Sequence, residues 1–320
     1  MPKVSIIVPV YGVERYIERC AVSLFEQTYE DIEYIFVNDA TPDKSIEVLT
    51  QVMKRYPFRE KQVKVIAHQK NKGLSAARNT GIAASTGEYV MHVDSDDYIA
   101  LNAIEHLVNK ADAEQADIVV FDTYTITANG LKKSVVVYGN KESYIKRMLQ
   151  HTEKCAHWNK FYRGDFYRNS GIKSDERIRM AEDYAVTPRL AYLANTISVL
   201  HEPLYYYETT NQNSYLNNLS RSAIESHRMA DDILQTFFAD KAEYANIIAS
   251  LSQRSLVSLM KNMNIDGWKV ILDVYKDTLL LSGRKMTLIN RIIFQLAKRR
   301  NFKALQLFMN IYHFIMRDRR

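Results

Sequence analysis

The sequence predicts an α/β fold: a mostly parallel sheet with helices on both faces, followed by a helical region at the carboxyl end. Three observations predict it. Short apolar runs alternate with segments of helical period through the first 120 residues. Those runs are rich in β-branched residues and have no polar face, as strands of a parallel sheet buried on both sides require. From about residue 221 onward only helical periodicity remains.

The elements follow in order. The first strand is expected over 3–10, where Pro9 fixes the backbone at the strand end and stops the ladder. Further strands are expected at 32–37, 63–67, 88–93 and 117–122. Helices between them, at 13–26, 43–55, 74–85 and 101–114, show apolar residues three and four apart. After Asp122 the pattern changes: residues 123–138 alternate around Asn129-Gly130, a hairpin with a tight primed turn. Helices are expected near 141–150 and 182–194, with short strands at 196–200 and 204–207. The chain therefore divides into a domain over 1–215, with halves at 1–122 and 123–215, and a helical region over 216–320. There Ile233, Phe237, Ile247, Leu251, Leu256, Leu259 and Met263 suggest packed amphipathic helices.

An apolar fraction of 47% and a charged fraction of 25% over 320 residues are ordinary for a soluble globular chain. Two cysteines, Cys20 and Cys155, imply no disulfide framework and fit a reducing, cytosolic setting. No apolar stretch approaches about 18 residues, so no membrane span is expected. The first apolar run is too short, and too interrupted by Pro9, for a signal peptide. The net charge of +6 is unevenly placed. Residues 284–320 hold ten Lys or Arg against one acid, Asp318, for a net +9, which leaves residues 1–283 at −3. A nucleic-acid footprint would put basic residues around the main cleft, so no nucleic-acid partner is expected. Eight histidines lie scattered without zinc-ligand spacing. No GxGxxG or GxxxxGK[ST] is present, which removes the simplest dehydrogenase and P-loop readings.

Chemistry concentrates in a few segments. Val93-Asp94-Ser95-Asp96-Asp97 places three carboxylates in four positions at the end of the run 88–93. Such carboxylates repel one another unless a cation compensates, and Mg²⁺ or Mn²⁺ take one or two carboxylates plus substrate phosphates. The alternative is an acidic, solvated turn that caps the next helix. Asn38-Asp39-Ala40-Thr41-Pro42-Asp43 follows the second strand. Asn71 to Gly81 is a glycine-containing loop leading into a helix whose amino end attracts anions. Arg78, one turn in, offers a bidentate fork. Met180-Ala181-Glu182-Asp183-Tyr184 places two acids at a helix start, where they also complement the helix dipole.

In this order and spacing the segments resemble the family 2 GT-A glycosyltransferases, which transfer a sugar from a nucleoside diphosphate. The resemblance is strong over residues 3–125 and weaker over 155–215. It implies a GT-A catalytic domain over 1–215, with a nucleotide-sugar half and an acceptor half. Pro9, Val10 and Tyr11 would pass the nucleotide base, with the aromatic stacking on it; Gly12 stands where members usually have Asn. Asp39 would accept N3–H of uracil, favouring a uridine or thymidine donor over a guanine one, although Asn38 replaces a usual acid. Asp39, Thr41 and Asp43 could instead cap the helix near 43–55, Asp43 being the better cap. Arg78 would contact the diphosphate or the donor sugar. Asp94 would bond the ribose or donor sugar, Asp96 would bind Mn²⁺ or Mg²⁺, and Asp97 would support the site or touch the donor sugar. Asp183 would be the general base, with Glu182 beside it on the acceptor side as the alternative. Trp158 and Lys160 would line the acceptor side, as would Tyr205-Tyr206-Tyr207 followed by Asn213-Ser214.

The activity so implied is inverting, metal-assisted transfer from a UDP-sugar to a hydroxyl of a glycan or lipid-linked acceptor. Two rivals stand beside it: a nucleotide-sugar-binding scaffold without turnover, and a metal-dependent nucleotidyltransferase. The latter needs a triphosphate loop that Gly12-Val13-Glu14-Arg15 does not provide. In the basic tail, Met286, Ile289, Ile292, Ile293 and Leu296 fall on one helical face, and Leu305, Phe308, Ile311, Tyr312 and Ile315 on another. Basic amphipathic helices of this kind lie on anionic membranes; the alternative is a helical hairpin packed on the body. With the cysteine usage, this tail points to a cytoplasmic protein, peripheral on the inner face of the cell membrane through residues 284–320, which suits the resemblance.

Overall fold

The computed structural model describes residues 1–210, 220–261, 263–281 and 286–317. Contacts sort the chain into two compact units: residues 1–144 with 155–217, and residues 145–154 with 218–320.

In the first unit, β1 (Val4–Val10), β2 (Ile32–Asn38), β3 (Val63–Ala67) and β4 (Tyr89–His92) pair in parallel in the order β3-β2-β1-β4. All seven residues of β1 are buried, whereas the edge strand β3 exposes Lys64 and Val65. The period of two divides β1 between faces. Ile6 and Val8 join one core with α1 (Ile17–Phe25), α2 (Ser45–Arg55) and residues of the later α4 (Ala103–Ala113). Ile7 joins a second core with Ile35, Val37, Val90 and Ala77 of α3 (Leu74–Ala84). Helix α3 approaches so closely that a Cβ at Gly81 would run into Ile7. Each large apolar side chain so buried contributes about 1.5–3 kcal/mol.

The sheet continues through β5 (Tyr98–Ile99), β6 (Ile118–Thr127), β7 (Gly130–Ser134), β8 (Lys160–Arg163) and β9 (Ile197–Glu208). Beyond β4 the order is β8-β6-β9-β5, with β7 hairpinned onto β6. Pairing is antiparallel at β4/β8, β8/β6 and β9/β5, and parallel at β6/β9. The hairpin closes with Thr127 opposite Gly130, as Asn129-Gly130 predicts. Helix α5 (Lys141–Leu149) begins in the first unit and, from Ile145, belongs to the second, while α6 (Gly164–Asn169) and α7 (Glu182–Leu193) complete the first. The two strands expected at 196–200 and 204–207 are one long β9, irregular opposite Phe121 and Thr123. Elements β5 and α6 are too short to show a period.

The topology positions the site. Strand β1 lies between β2 and β4, so the strand order reverses there, and the crevice outside the carboxyl ends of such strands is where open α/β sheets bind ligands.

The second unit contains α8 (Arg221–Phe238), α9 (Ala245–Ile248), α10 (Leu251–Met260), α11 (Ile265–Val274), α12 (Leu288–Lys298) and α13 (Phe302–Arg317). Asn264 caps α11 by accepting from the Gly267 N–H at 3.1 Å. The stripe in α8 is displaced by one residue: Leu234 and Phe238 are buried, and Ile233 and Phe237 only partly so. The tail also differs from expectation. Met286, Ile293 and Leu305 are buried, but Ile289, Ile311 and Ile315 face outward. Among the described residues no helix is long and apolar enough to cross a membrane. Asn213-Ser214, Arg284, Lys285, Asp318, Arg319 and Arg320 lie outside the described residues.

Candidate active site

The strand ends fix the first part of the site. Pro9 and Val10 are buried and pair with Val37 and Asn38, while Tyr11, the next residue, is 42% exposed. The following turn is tied to the start of α2: Gly12 N–H donates to Thr41, Val13 N–H to Ser45 and Glu14 N–H to Asp43. Asp43 also accepts from the Ser45 N–H and the Thr41 hydroxyl. Partial burial pushes its carboxyl up, but these hydrogen bonds outweigh it and hold the group below its usual range.

Asp39 is buried at the end of β2 and points into the loop before α3. One oxygen meets His68 Nδ1 at 2.7 Å and accepts from the Lys72 N–H at 2.8 Å; the other accepts from the Gly73 N–H at 2.7 Å. Gly73 has φ +94°, a conformation that the loop can hold without strain only with glycine.

Arg78 is the centre of the second part. Its guanidinium is 2% exposed and donates to Asp94 Oδ1 at 2.9 Å and to Glu182 Oε1; Asp183 Oδ1 lies 3.6 Å away. Three elements therefore converge on one cation: α3, the turn after β4 and the start of α7. The loop before α7 is held to α3 by Ser75, which donates to the Ile178 carbonyl, and by a reciprocal pair between Asn79 and Ser174. Ala181, in the left-handed region at φ 68°, turns the chain into α7.

Burial assigns different states to the acids. Burial, then Asp183, pushes the Glu182 carboxyl well up. Asp94 is likewise raised by burial, against the pull of Arg78. Asp97 is fully buried; its two oxygens accept from the Tyr205 hydroxyl at 2.6 Å and the Glu208 N–H at 2.7 Å. Burial together with Asp96 and Asp94 raises it far above the ordinary range. Asp96 is partly exposed, and its carbonyl accepts from Arg19 at 2.9 Å. Behind Arg78, the rings of His92 and His157 lie 4.8 Å apart; burial keeps both well below the usual imidazole range, so both are neutral.

The acceptor-side residues read from sequence occupy supporting positions. Trp158 is stacked between Tyr205 and Tyr207, at 4.7 and 5.0 Å, while Tyr206 faces the other way onto Tyr98. Lys160 is buried, its ammonium donating to the Ala156 carbonyl and the Asn159 side chain. Arg78, Asp94, Glu182 and Asp183 thus come together, Asp96 and Asp97 sit beside them, and Asp39 serves the loop that opens α3. Sequence reasoning missed Arg19, His68 and the hydroxyl role of Tyr205. His68 directly follows β3, which is its only signal; Arg19 carries none.

Residues 5–169 match the sequence profile described as Glycosyl transferase family 2. The chain is 36% identical over 237 residues to the uncharacterized glycosyltransferase EpsJ of Bacillus subtilis (strain 168), covering 71% of this chain and 67% of EpsJ. Other curated relatives are spanned less fully, one over 60% and one over 30% of its length. Among solved structures, it is similar to residues 1–349 of Staphylococcus aureus TarS in complex with UDP-GlcNAc: TM-score 0.75, 20% identity, 97% of this chain and 91% of that one. It is also similar to the mannosyltransferase PcManGT of Pyrobaculum calidifontis in complex with GDP-Man and Mn²⁺: TM-score 0.54, 14% identity, 96% and 85% coverage. Those two likenesses speak for the GT-A type of fold.

Proposed function

Because this chain belongs to glycosyl transferase family 2, we propose that it is an inverting glycosyltransferase that moves a sugar from a uridine diphosphate donor to a hydroxyl of a glycan or lipid-linked acceptor. One observation carries the reading: the Arg78 fork holds Asp94, at the end of β4, to the Glu182–Asp183 pair at the start of α7. A carboxylate on the donor side and a base are thereby fixed around one substrate position.

Asp183 is the base. Glu182 is 6% exposed and committed to Arg78, whereas Asp183 is 24% exposed and lies at the edge of the fork. Asp183 takes the proton of the acceptor hydroxyl as its oxygen bonds to the anomeric carbon. The bond from that carbon to the diphosphate oxygen breaks on the opposite face, its electron pair leaves with UDP, and configuration inverts. Arg78 acts by orientation, since both terminal nitrogens of its fork donate to carboxylates.

A uridine donor suits Asp39. A carboxylate presents about four acceptor positions, and His68, Lys72 and Gly73 engage three of them, leaving one for N3–H of uracil. Tyr11 offers the stacking face beside the buried Pro9 and Val10. TarS, with UDP-GlcNAc bound, supports this choice; PcManGT, with GDP-Man, is the more distant likeness.

Asp96, with Asp94 beside it, fits Mg²⁺ or Mn²⁺: both are partly exposed hard oxygen donors at a strand end, and donor phosphates complete such a shell. Asp97 does not fit, because Tyr205 and Glu208 occupy its oxygens. When bound, the ion would neutralise charge on the leaving diphosphate. Trp158 and Lys160 build the acceptor side from behind, through Tyr207 and the backbone they fix. A chain with only two cysteines suits a cytoplasmic location.

The test is thermal stabilisation by UDP, GDP and dTDP, each with and without Mn²⁺, on the wild type and Asp96→Ala. Ligand at about 100 times its dissociation constant adds about 2.7 kcal/mol. Metal-dependent stabilisation by UDP that Asp96→Ala abolishes is the expected result. No shift with any nucleotide overturns the proposal.

A further inference from the structure

Helix α13 has two apolar faces, and its neighbours in the second unit use one. Leu305 and Met309 are buried, Phe302 stacks on Trp268 with centroids 6.5 Å apart, and the Lys261 ammonium sits 5.2 Å from the Tyr312 ring. The other face carries Leu307, Ile311, Phe314 and Ile315, which are 64%, 51%, 71% and 49% exposed. Their spacing of four, seven and eight residues makes one continuous stripe. A helix packed in a water-soluble protein needs a single apolar stripe, and a second, outward one marks a docking surface. Leu288 and Ile289 of α12 are exposed as well, at 69% and 45%.

Charge identifies the occupant. No Asp or Glu occurs between 278 and 317. Lys298, Arg299, Arg300 and Lys303 cluster, all exposed, at the turn between α12 and α13, and Lys303 lies one helical turn before Leu307. A second copy of the chain docking through the same stripe would bring two such clusters together, at a repulsive cost. A nucleic acid would use the cations and leave the aliphatic stripe in water. A surface that is apolar within and anionic at its boundary satisfies both features, and that is an anionic lipid bilayer.

We propose that α13 docks on an anionic membrane surface, with Leu307, Ile311, Phe314 and Ile315 entering the acyl boundary and Lys298, Arg299, Arg300 and Lys303 meeting the headgroup phosphates. The inference stands on the second unit alone and does not depend on the transferase reading.

The experiment is flotation of the full chain with vesicles of phosphatidylcholine, alone or mixed with phosphatidylglycerol. Wild type is compared with Ile311→Glu/Phe314→Glu and with Arg299→Gln/Arg300→Gln. The wild type is expected to float with the mixed vesicles only, and less as salt rises. The apolar variant loses at least about tenfold in binding, and the charge variant about fivefold per residue. Circular dichroism checks that both fold. Independently, Phe314→Cys carrying an environment-sensitive fluorophore should shift to the blue on the mixed vesicles. Absence of flotation with mixed vesicles, equal flotation of wild type and apolar variant, or an unshifted fluorophore overturns the proposal. So does a wild type that self-associates without lipid through a contact the apolar variant breaks, with vesicle binding unchanged.

Discussion

Arg78→Ala tests the centre of the site. The substitution removes a guanidinium that is 2% exposed and leaves Glu182, whose side chain is 6% exposed, without its cation. Breaking a buried ion cluster in this way costs about 3–5 kcal/mol. Two effects reduce that figure. Burial and Asp183 already hold the Glu182 carboxyl well above its usual range, so without Arg78 it takes up a proton and ceases to be a buried charge. Asp94 and Asp183, 25% and 24% exposed, recover water as a partner. The expected loss is about 2–4 kcal/mol, or about 5–15 °C in the midpoint for a unit of this size.

The effect on turnover is separable. If Arg78 orients Asp94 and Asp183, its loss lowers kcat about a hundredfold, the usual consequence of a displacement near 1 Å, and leaves KM for the donor within about threefold. Arg78→Lys restores the charge without the fork and should recover stability more than kcat. Steady-state kinetics with a UDP-sugar beside thermal unfolding provides the assay. A raised KM with unchanged kcat would refute the orienting role and place the guanidinium on the diphosphate. An unchanged midpoint would refute the claim that it neutralises a buried cluster.

Three further outcomes follow from the same geometry. Asp183→Asn should lower kcat by about 10²–10⁴-fold with UDP stabilisation retained; a near-normal Asp183→Asn beside an inactive Glu182→Gln would move the base to Glu182. Tyr205→Phe removes a hydroxyl that donates to Asp97 and accepts from the Asp94 N–H, and should cost about 1–3 kcal/mol in urea unfolding; no measurable change would deny that Asp97 depends on it. Asp231, facing Ser255, Tyr275, His227, Arg228 and Asp232, is raised by burial to about 7. A carboxyl raised in the folded state contributes stability that is complete below its unfolded value, near 3.8, and is lost as pH rises through 7. The second unit should therefore lose up to about 4 kcal/mol from this group between pH 4 and 8. His227 and His151, lowered by burial to about 4 and about 3, act in the opposite sense as pH falls. The difference between wild type and Asp231→Asn isolates the carboxyl. Trp268 fluorescence in a Trp158→Phe background reads the second unit, and identical pH profiles for the two proteins would contradict the assignment.

How much of this was legible in the sequence depends on the range over which each feature is decided. Strands β1, β2 and β4 are buried on both faces, so their apolar runs are readable, and Asn129-Gly130 marks its hairpin because the turn is a two-residue matter. The stripes of α8 and α13 were less legible. A period fixes the width of an apolar face but not its phase, and α13 is apolar around most of its circumference. The site shows the same limit more sharply. Asp94, Asp96 and Asp97 are chemically alike in sequence; what separates them is that Tyr205, more than a hundred residues later, brings its hydroxyl to Asp97 and encloses it. Arg78 reads as a cation for a phosphate because its local sequence is a loop and a helix start. Its partners are 16 and 104 residues away in the chain, and once Asp94 and Glu182 are in place the cheapest partner for a buried guanidinium is a buried carboxylate, since each cancels a desolvation penalty that the other would bear alone. The function of such a residue is set by which charges the fold buries together, and that is decided by the sheet, not by the motif.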